Sequence, residues 1–331
     1  MASSRINSPR AALLLSVALF APALSPSTAI ASTPSNHPLA GPHRPSNVPA
    51  NYLVTPFGYL HPSCVQTLAT GEHLLADGRV QHADGTAENQ AAVCLYPRFS
   101  HSGAAMAESS SQSKGDTARS PEINGWVEDA NVSTSSLESS YGAILATWTV
   151  PPAPKRNDGQ VLYFFPGLED IDSGASILQP VLGWYYGQWT IASWNCCLNG
   201  VATNSTPVNV SPGDQIYGSV TNNCAVGTVL CATWNVLTVD LSTGESTTLA
   251  NTPSEGQTFN WAFGGVLEAY YIDHCADYPP DGSLQFDYIG LFDQNLKVVP
   301  HPAWSDDMDD QDQPQCHYKT KSSAHTVTVN Y

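Results

Sequence analysis

FPGLEDIDSGASILQPVLGWYYGQWTIASW, residues 165–194, sets the texture of the chain. Two runs of β-branched and aromatic residues, SILQPVLGW (176–184) and QWTIASW (188–194), are bounded by small and polar residues. The same texture extends in both directions from residue 122 onward. YGAILATWTV (141–150), QVLYFFPGL (160–168), DQIYGSVT (214–221), TWNVLTVDL (233–241), GGVLEAYYI (264–272) and FDYIGLFD (286–293) repeat it, with turn sequences SPGD (211–214) and STGE (242–245) between them. No helical period of any length appears. Short, regularly punctuated strands predict an all-β fold, a two-sheet antiparallel β-sandwich.

The N-terminus reads differently. Arg5 and Arg10 precede the apolar run AALLLSVALFAPAL (11–24), and Ala29-Ile30-Ala31 supplies a small-x-small cleavage site. That order of parts is a secretory signal peptide over 1–31, and the apolar run is shorter than a spanning helix needs. The expected product is a secreted, extracellular protein with no membrane segment. Residues 32–50 are rich in Pro, Ser, Ala and His, and 101–121 (HSGAAMAESSSQSKGDTARSP) read as a polar linker open to proteolysis. The expected organisation is a signal peptide (1–31), a prosegment with linker (32–121), and a sandwich domain with an acidic C-terminal segment (122–331).

Charge narrows the partners. Only 12% of residues are charged, about half the usual share, and the formal net charge is −17. From residue 121 onward there are 23 acidic and 5 basic residues. That balance disfavours nucleic acid and anionic membrane surfaces. A domain with so few cations has few ion pairs to lose in acid, which fits work at low pH. Six of the ten histidines lie before residue 102. Their protonation near pH 6 is expected to loosen the prosegment.

Eight cysteines in an exported chain predict disulfides. Cys64 and Cys94 fall in the prosegment, and Cys224 and Cys231 are close enough to staple one hairpin. Cys196, Cys197, Cys275 and Cys316 remain, and adjacency argues against pairing Cys196 with Cys197. Zinc held by Cys196, Cys197, His274 and Cys275 matches no usual spacing, so no metal and no other cofactor is expected. The acidic run DDMDDQDQ (306–313) reads as a solvated loop. No G-x-S-x-G, H-E-x-x-H or phosphate-binding glycine loop occurs. Chemistry, if present, rests on carboxylates, amides and aromatics.

Several segments in one order resemble the glutamic peptidases of the eqolisin family. GWVEDA (125–130), YGAILATWTVPPAP (141–154), FPGLED (165–170), SILQPVLGW (176–184), VNVSPGDQIYGSVT (208–221), WNVLTVDLSTGESTTL (234–249), NWAFGGVLEAY (260–270) and FDYIGLFD (286–293) carry the likeness, over roughly 122–295. The resemblance implies a sandwich of the concanavalin A-like lectin/glucanase (jelly-roll) type and a monomeric endopeptidase acting on polypeptide. It implies Gln179 and Glu268 as the catalytic pair. One segment departs from the family pattern: Phe165-Pro166-Gly167-Leu168-Glu169 stands where Trp-x-Gly-x-Asp is common.

The residues fit that chemistry. In GGVLEAYYI, alternation puts Val266, Glu268 and Tyr270 on one face. A Glu among apolar neighbours has a raised pKa and suits a general base on water. Gln179 would orient that water and donate to the developing oxyanion. Glu169 and Trp184 are expected to support the site, the alternative for Glu169 being a carboxylate pair with Glu268 that shares a proton. Tyr186, Trp189 and Trp194 are expected to line a substrate groove. The prosegment is expected to act as an intramolecular inhibitor. The competing reading is a carbohydrate-binding or glycan-hydrolysing sandwich, because fold does not fix function.

Overall fold

The computed structural model describes residues 44–331 apart from 76–78, 89–93, 101–102, 107–124, 137, 158, 173–175, 198–199 and 309–313. The expected signal peptide, most of the linker and part of the acidic run lie outside the described residues. Before the linker lie β1 (Leu53–Thr55), β2 (Gly58–Leu60), β3 (Val65–Leu68), β4 (His73–Leu74), β5 (Val80–Gln81), β6 (Arg98–Phe99) and β7 (Ala105–Met106). After it come β8 (Trp126–Ser133), β9 (Tyr141–Thr149), β10 (Val161–Glu169), β11 (Ile177–Tyr185), β12 (Gln188–Cys196), β13 (Ala202–Ser205), β14 (Val208–Val210) and β15 (Gln215–Asn222). The chain ends with β16 (Thr233–Asp240), β17 (Ser246–Pro253), β18 (Trp261–Tyr270), β19 (Ser283–Asp293), β20 (Ser305–Met308), β21 (Lys321–Ser322) and β22 (Val327–Asn330).

Two large sheets form the sandwich. One runs β20-β8-β18-β10-β11-β12-β13-β3, with β14 also on β12; the other runs β17-β16-β15-β9-β19-β22-β21. All pairings are antiparallel except β13 with β3, which is parallel. Through β3, the segment before the linker supplies a strand of the sandwich itself. The described residues accordingly belong to one compact unit. No helix among the described residues is long and apolar enough to cross a membrane.

The expected turns form as their side chains dictate. In SPGD, Asp214 accepts from the Ser211 amide at 2.7 Å, and Gly213 takes φ +93°. In STGE, the Asp240 carboxylate accepts from the Ser242 amide at 2.8 Å and the Thr243 hydroxyl at 2.7 Å.

Between the sheets, Trp148, Phe164, Leu182, Trp189, Ile191 and Phe286 form one buried cluster. Ile144, Leu178, Val220, Trp234 and Phe259 form another. A third cluster sits on the opposite face of the larger sheet. There Tyr163, Phe165, Val181, Trp194, Phe263 and Tyr270 meet Tyr52, Val54, Tyr59, Leu60 and Phe99 from the N-terminal segment. Strand burial follows from this layering. β16 alternates between buried and half-buried residues, as a strand with one covered face should. β10, β11 and β18 are buried at every position, because the N-terminal layer covers their second face.

All eight cysteines pair. Cys64–Cys94 and Cys224–Cys231 join as expected, and Cys275 pairs with Cys316. Cys196 pairs with Cys197 across a cis peptide bond, contrary to the reading from adjacency. The three cysteines of the zinc alternative, Cys196, Cys197 and Cys275, are thereby consumed.

Candidate active site

The face of the larger sheet beneath the N-terminal layer holds several buried polar side chains, among them the expected Glu268, Gln179 and Glu169. Glu268 on β18 and Gln179 on β11 are wholly buried, and Glu169 on β10 nearly so. Alternation places Glu268 between Val266 and Tyr270 on this face, as expected.

Glu268 Oε1 accepts from the Tyr270 hydroxyl at 2.5 Å. Burial pushes its pKa well above the usual carboxylate range, against hydrogen bonds from Tyr270 and Trp126. Burial therefore favours the neutral carboxyl in this covered state. Gln179 is the more exposed to an energetic penalty: neither its amide nitrogen nor its amide oxygen has a partner among the described residues. An unsatisfied buried polar atom costs about 1–3 kcal/mol, which sheets avoid unless the group has a use. Burial pushes Glu169 up to about 8; the Arg98 charge pulls it down, and Asp170 and Asp129 push it further up.

The register fixes how these groups relate. Glu268 is level with Tyr163, which is level with Gly183 on β11. Gln179 lies four residues from Gly183. At about 3.3 Å per residue, that is an offset of roughly 13 Å along the strands. The pair shares a face but does not converge on one point in this state. Glu169 is level with Ile177, two residues from Gln179, and is thus the carboxyl nearest the amide by register. Glu169 is also level with Trp261, seven residues before Glu268 on β18, so the two glutamates form no shared-proton pair.

Three expected aromatics lie elsewhere. Trp184 and Trp189 are cross-strand partners on the inner face, with ring centroids 5.1 Å apart, and they belong to the inter-sheet core. Trp184 lies five residues after Gln179, and an odd offset in a strand turns a side chain to the other face. Tyr186 occupies the exposed turn between β11 and β12 at φ +54°. Trp194 remains in place: it is level with Gln179 on β12 and on the covered face.

What fills the groove is a hairpin of the same chain. The β1–β2 turn, Thr55-Pro56-Phe57-Gly58, bridges the Glu268 end and the Gln179 end. The Tyr270 hydroxyl oxygen accepts from the Gly58 amide at 2.8 Å and lies 3.1 Å from the Thr55 carbonyl. The Tyr163 hydroxyl donates to the Val54 carbonyl at 3.3 Å. Phe57 stands edge-on to Trp194 with centroids 6.2 Å apart. Gly58 has φ +95°, and a Cβ there would collide with the Phe99 carbonyl, so only glycine fits this turn. Tyr270 was legible from alternation. Tyr163, Arg98 and the hairpin were not, because nothing local in 51–60 marks it as the cover of a strand 100 residues away.

A second polar cluster lies at the β4–β5 hairpin, whose Leu74 and Val80 pack with Trp234 and Phe259. His82 Nδ1 is 2.6 Å from Glu72 Oε1, and Nε2 is 3.3 Å from Glu88 Oε1. The hydrogen bond to Glu72 raises the His82 pKa, with the Glu72, Glu88 and Asp84 charges acting in the same direction. Among the described residues, no group of three His, Cys, Asp or Glu side chains is placed to hold a metal ion.

Fold and site together define a two-sheet antiparallel β-sandwich with a self-covered acidic groove. No family model matches the chain, and no curated protein matches it. Among solved structures, the chain is similar to scytalidoglutamic peptidase with a peptide-based transition-state analogue. That match is 18% identical with TM-score 0.46, covering 65% of this chain and 100% of that one. It is also similar to SCP-B, a member of the eqolisin family in complex with the tripeptide Ala-Ile-His (18%, TM-score 0.44, 65% and 100%). Aspergilloglutamic peptidase from Aspergillus niger matches at 20% identity and TM-score 0.40, over 52% of this chain and 98% of that one.

Proposed function

We propose that this chain is a secreted, acid-acting endopeptidase of the glutamic type, made with an N-terminal inhibitory segment. The observation that carries the reading is the covered face: a polypeptide turn, bonded through its backbone, lies against Tyr270, Tyr163 and Trp194, the cross-strand partner of Gln179. A groove that holds one polypeptide by its backbone is suited to hold another.

In this reading the covered form is inert for two reasons. The hairpin excludes substrate, and a neutral Glu268 cannot take a proton from water. When the hairpin leaves, solvent reaches Glu268 and its pKa falls toward the ordinary range. Ionised Glu268 then draws a proton from a water as that water attacks the peptide carbonyl, a role worth about 10²–10⁴ in rate. Gln179 donates to the oxyanion that forms, a donor worth about 10²–10³. Protonated Glu268 finally returns its proton to the departing amine. The register offset requires the groove to close along the strands when substrate replaces the hairpin. The rival base is Glu169, which already lies near Gln179.

The carbohydrate reading loses ground on geometry. A retaining glycosidase needs two carboxyl groups about 5–5.5 Å apart, and Glu169 and Glu268 are separated by seven residues of register.

The test compares full-length protein with Glu268→Gln, Glu169→Gln and Gln179→Ala on a denatured protein substrate from pH 2 to 8. Loss in Glu268→Gln and Gln179→Ala alone supports the proposed pair. Loss in Glu169→Gln with Glu268→Gln active moves the base to Glu169. No cleavage by the wild-type chain at any pH defeats the reading.

A further inference from the structure

We propose that the groove contains a subsite for an aromatic side chain of the substrate polypeptide, built on Trp194 beside Gln179 and filled here by Phe57. The inference rests on the peptidase reading and adds a substrate class to it. Phe57 is the tip residue of the β1–β2 turn, partly buried against the outer core cluster. Its ring meets the Trp194 ring edge-on, at an interplanar angle of 66°. Trp194 is itself 3% exposed and is the cross-strand partner of Gln179. A side chain seated on Trp194 therefore lies next to the unpartnered amide.

The backbone around Phe57 is held independently of its side chain, through Val54, Thr55 and Gly58 on Tyr163 and Tyr270. Backbone bonds that give affinity, with one side-chain pocket that gives selectivity, are how sheet-bound peptides are read. The turn is also closed on itself, since the Thr55 hydroxyl donates to the Gly58 carbonyl at 3.0 Å. The hairpin thus shows the groove an aromatic side chain without presenting an extended, cleavable peptide.

The experiment uses the full-length chain with Phe57→Ala, which empties the subsite while the backbone bonds stay. N-acetylphenylalaninamide is titrated in, and tryptophan indole N–H resonances are followed by NMR. The Phe57→Ala chain is expected to show one strongly perturbed indole signal, missing in Phe57→Ala/Trp194→Leu. Wild type should bind at least about tenfold more weakly, and N-acetylalaninamide should do nothing. Equal responses to the two amides, or no response by Phe57→Ala, overturn the subsite. In a second arm, acid-matured full-length protein cleaves a peptide library. Enrichment of Phe, Tyr or Trp at one fixed position, flattened by Trp194→Leu, supports the subsite; cleavage without it overturns the proposal. Amide binding with no cleavage leaves the subsite standing and sinks the peptidase reading instead.

Discussion

The Tyr270 hydroxyl lies 2.5 Å from Glu268 Oε1 and 3.1 Å from the Thr55 carbonyl oxygen. A phenol has one proton to give. Were Glu268 protonated at Oε1, the carboxyl would donate to Tyr270 and free the phenol proton for Thr55, so both contacts of the phenol would be hydrogen bonds. With Glu268 ionised, Tyr270 must choose between them. A docked hairpin and a protonated Glu268 therefore stabilise each other.

Tyr270→Phe removes that relay and leaves the Gly58 amide without its acceptor. The expected cost is about 1–3 kcal/mol of hairpin docking. Hydrogen exchange should accelerate at Gly58 and its neighbours while amides in the inter-sheet core hold their protection. Unchanged exchange at Gly58 would show that the hairpin is held by packing alone.

Buried acids set the pH dependence of stability. Burial pushes Glu128 and Asp129 each up to about 7, and Glu169 up to about 8. Unfolded, these groups ionise near 4. Above that pH the native state retains protons that the unfolded state has released. Stability is thus greatest below about pH 4 and falls as pH rises toward 8, by up to about 1.4 kcal/mol per pH unit for each group. Thermal unfolding of the full-length chain should give a higher Tm at pH 4 than at pH 8. A higher Tm at pH 8 would contradict the burial of these three carboxyls.

For His82 the sign of the expected histidine switch reverses. Protonation places a cation between Glu72 and Glu88 and strengthens their attraction, so it tightens the β4–β5 hairpin. Because the folded pKa is raised, the contribution is full below the unfolded pKa near 6.5 and is lost as pH rises through the folded value. His82→Gln should speed exchange across 72–88 at pH 5.5 and leave it unchanged at pH 8.5. An effect of equal size at both values would assign His82 a packing role.

What was legible in the sequence follows from what is local. The strands, the SPGD and STGE turns and the shared face of Val266, Glu268 and Tyr270 depend on neighbours in the chain, and alternation finds them. Trp184 and Trp189 were readable by the same parity from Gln179, but their clustering in sequence suggested a clustering in space that the pleat forbids. The separation of Glu268 from Gln179 depends on cross-strand register, including the shift at Gly264–Gly265, which no single strand reveals. The hairpin over the groove depends on contacts across more than 200 residues, such as Gly58 with Tyr270. Composition carries no trace of them.

Gln179 offers the sharpest separation of function from stability. Its amide is fully buried and unpartnered, among the apolar side chains of Ile177, Val181 and Trp194. Leucine is close in size and brings no polar atom to bury. Gln179→Leu should therefore raise stability, by roughly 1–3 kcal/mol, and raise the thermal midpoint with it. The same change should abolish cleavage, because nothing remains to hold the oxyanion. A residue kept for structure would show the opposite pattern, with stability falling alongside activity. Paired measurements of Tm and of acid-dependent cleavage on this one variant distinguish the two, and a lower Tm would remove Gln179 from the proposed site.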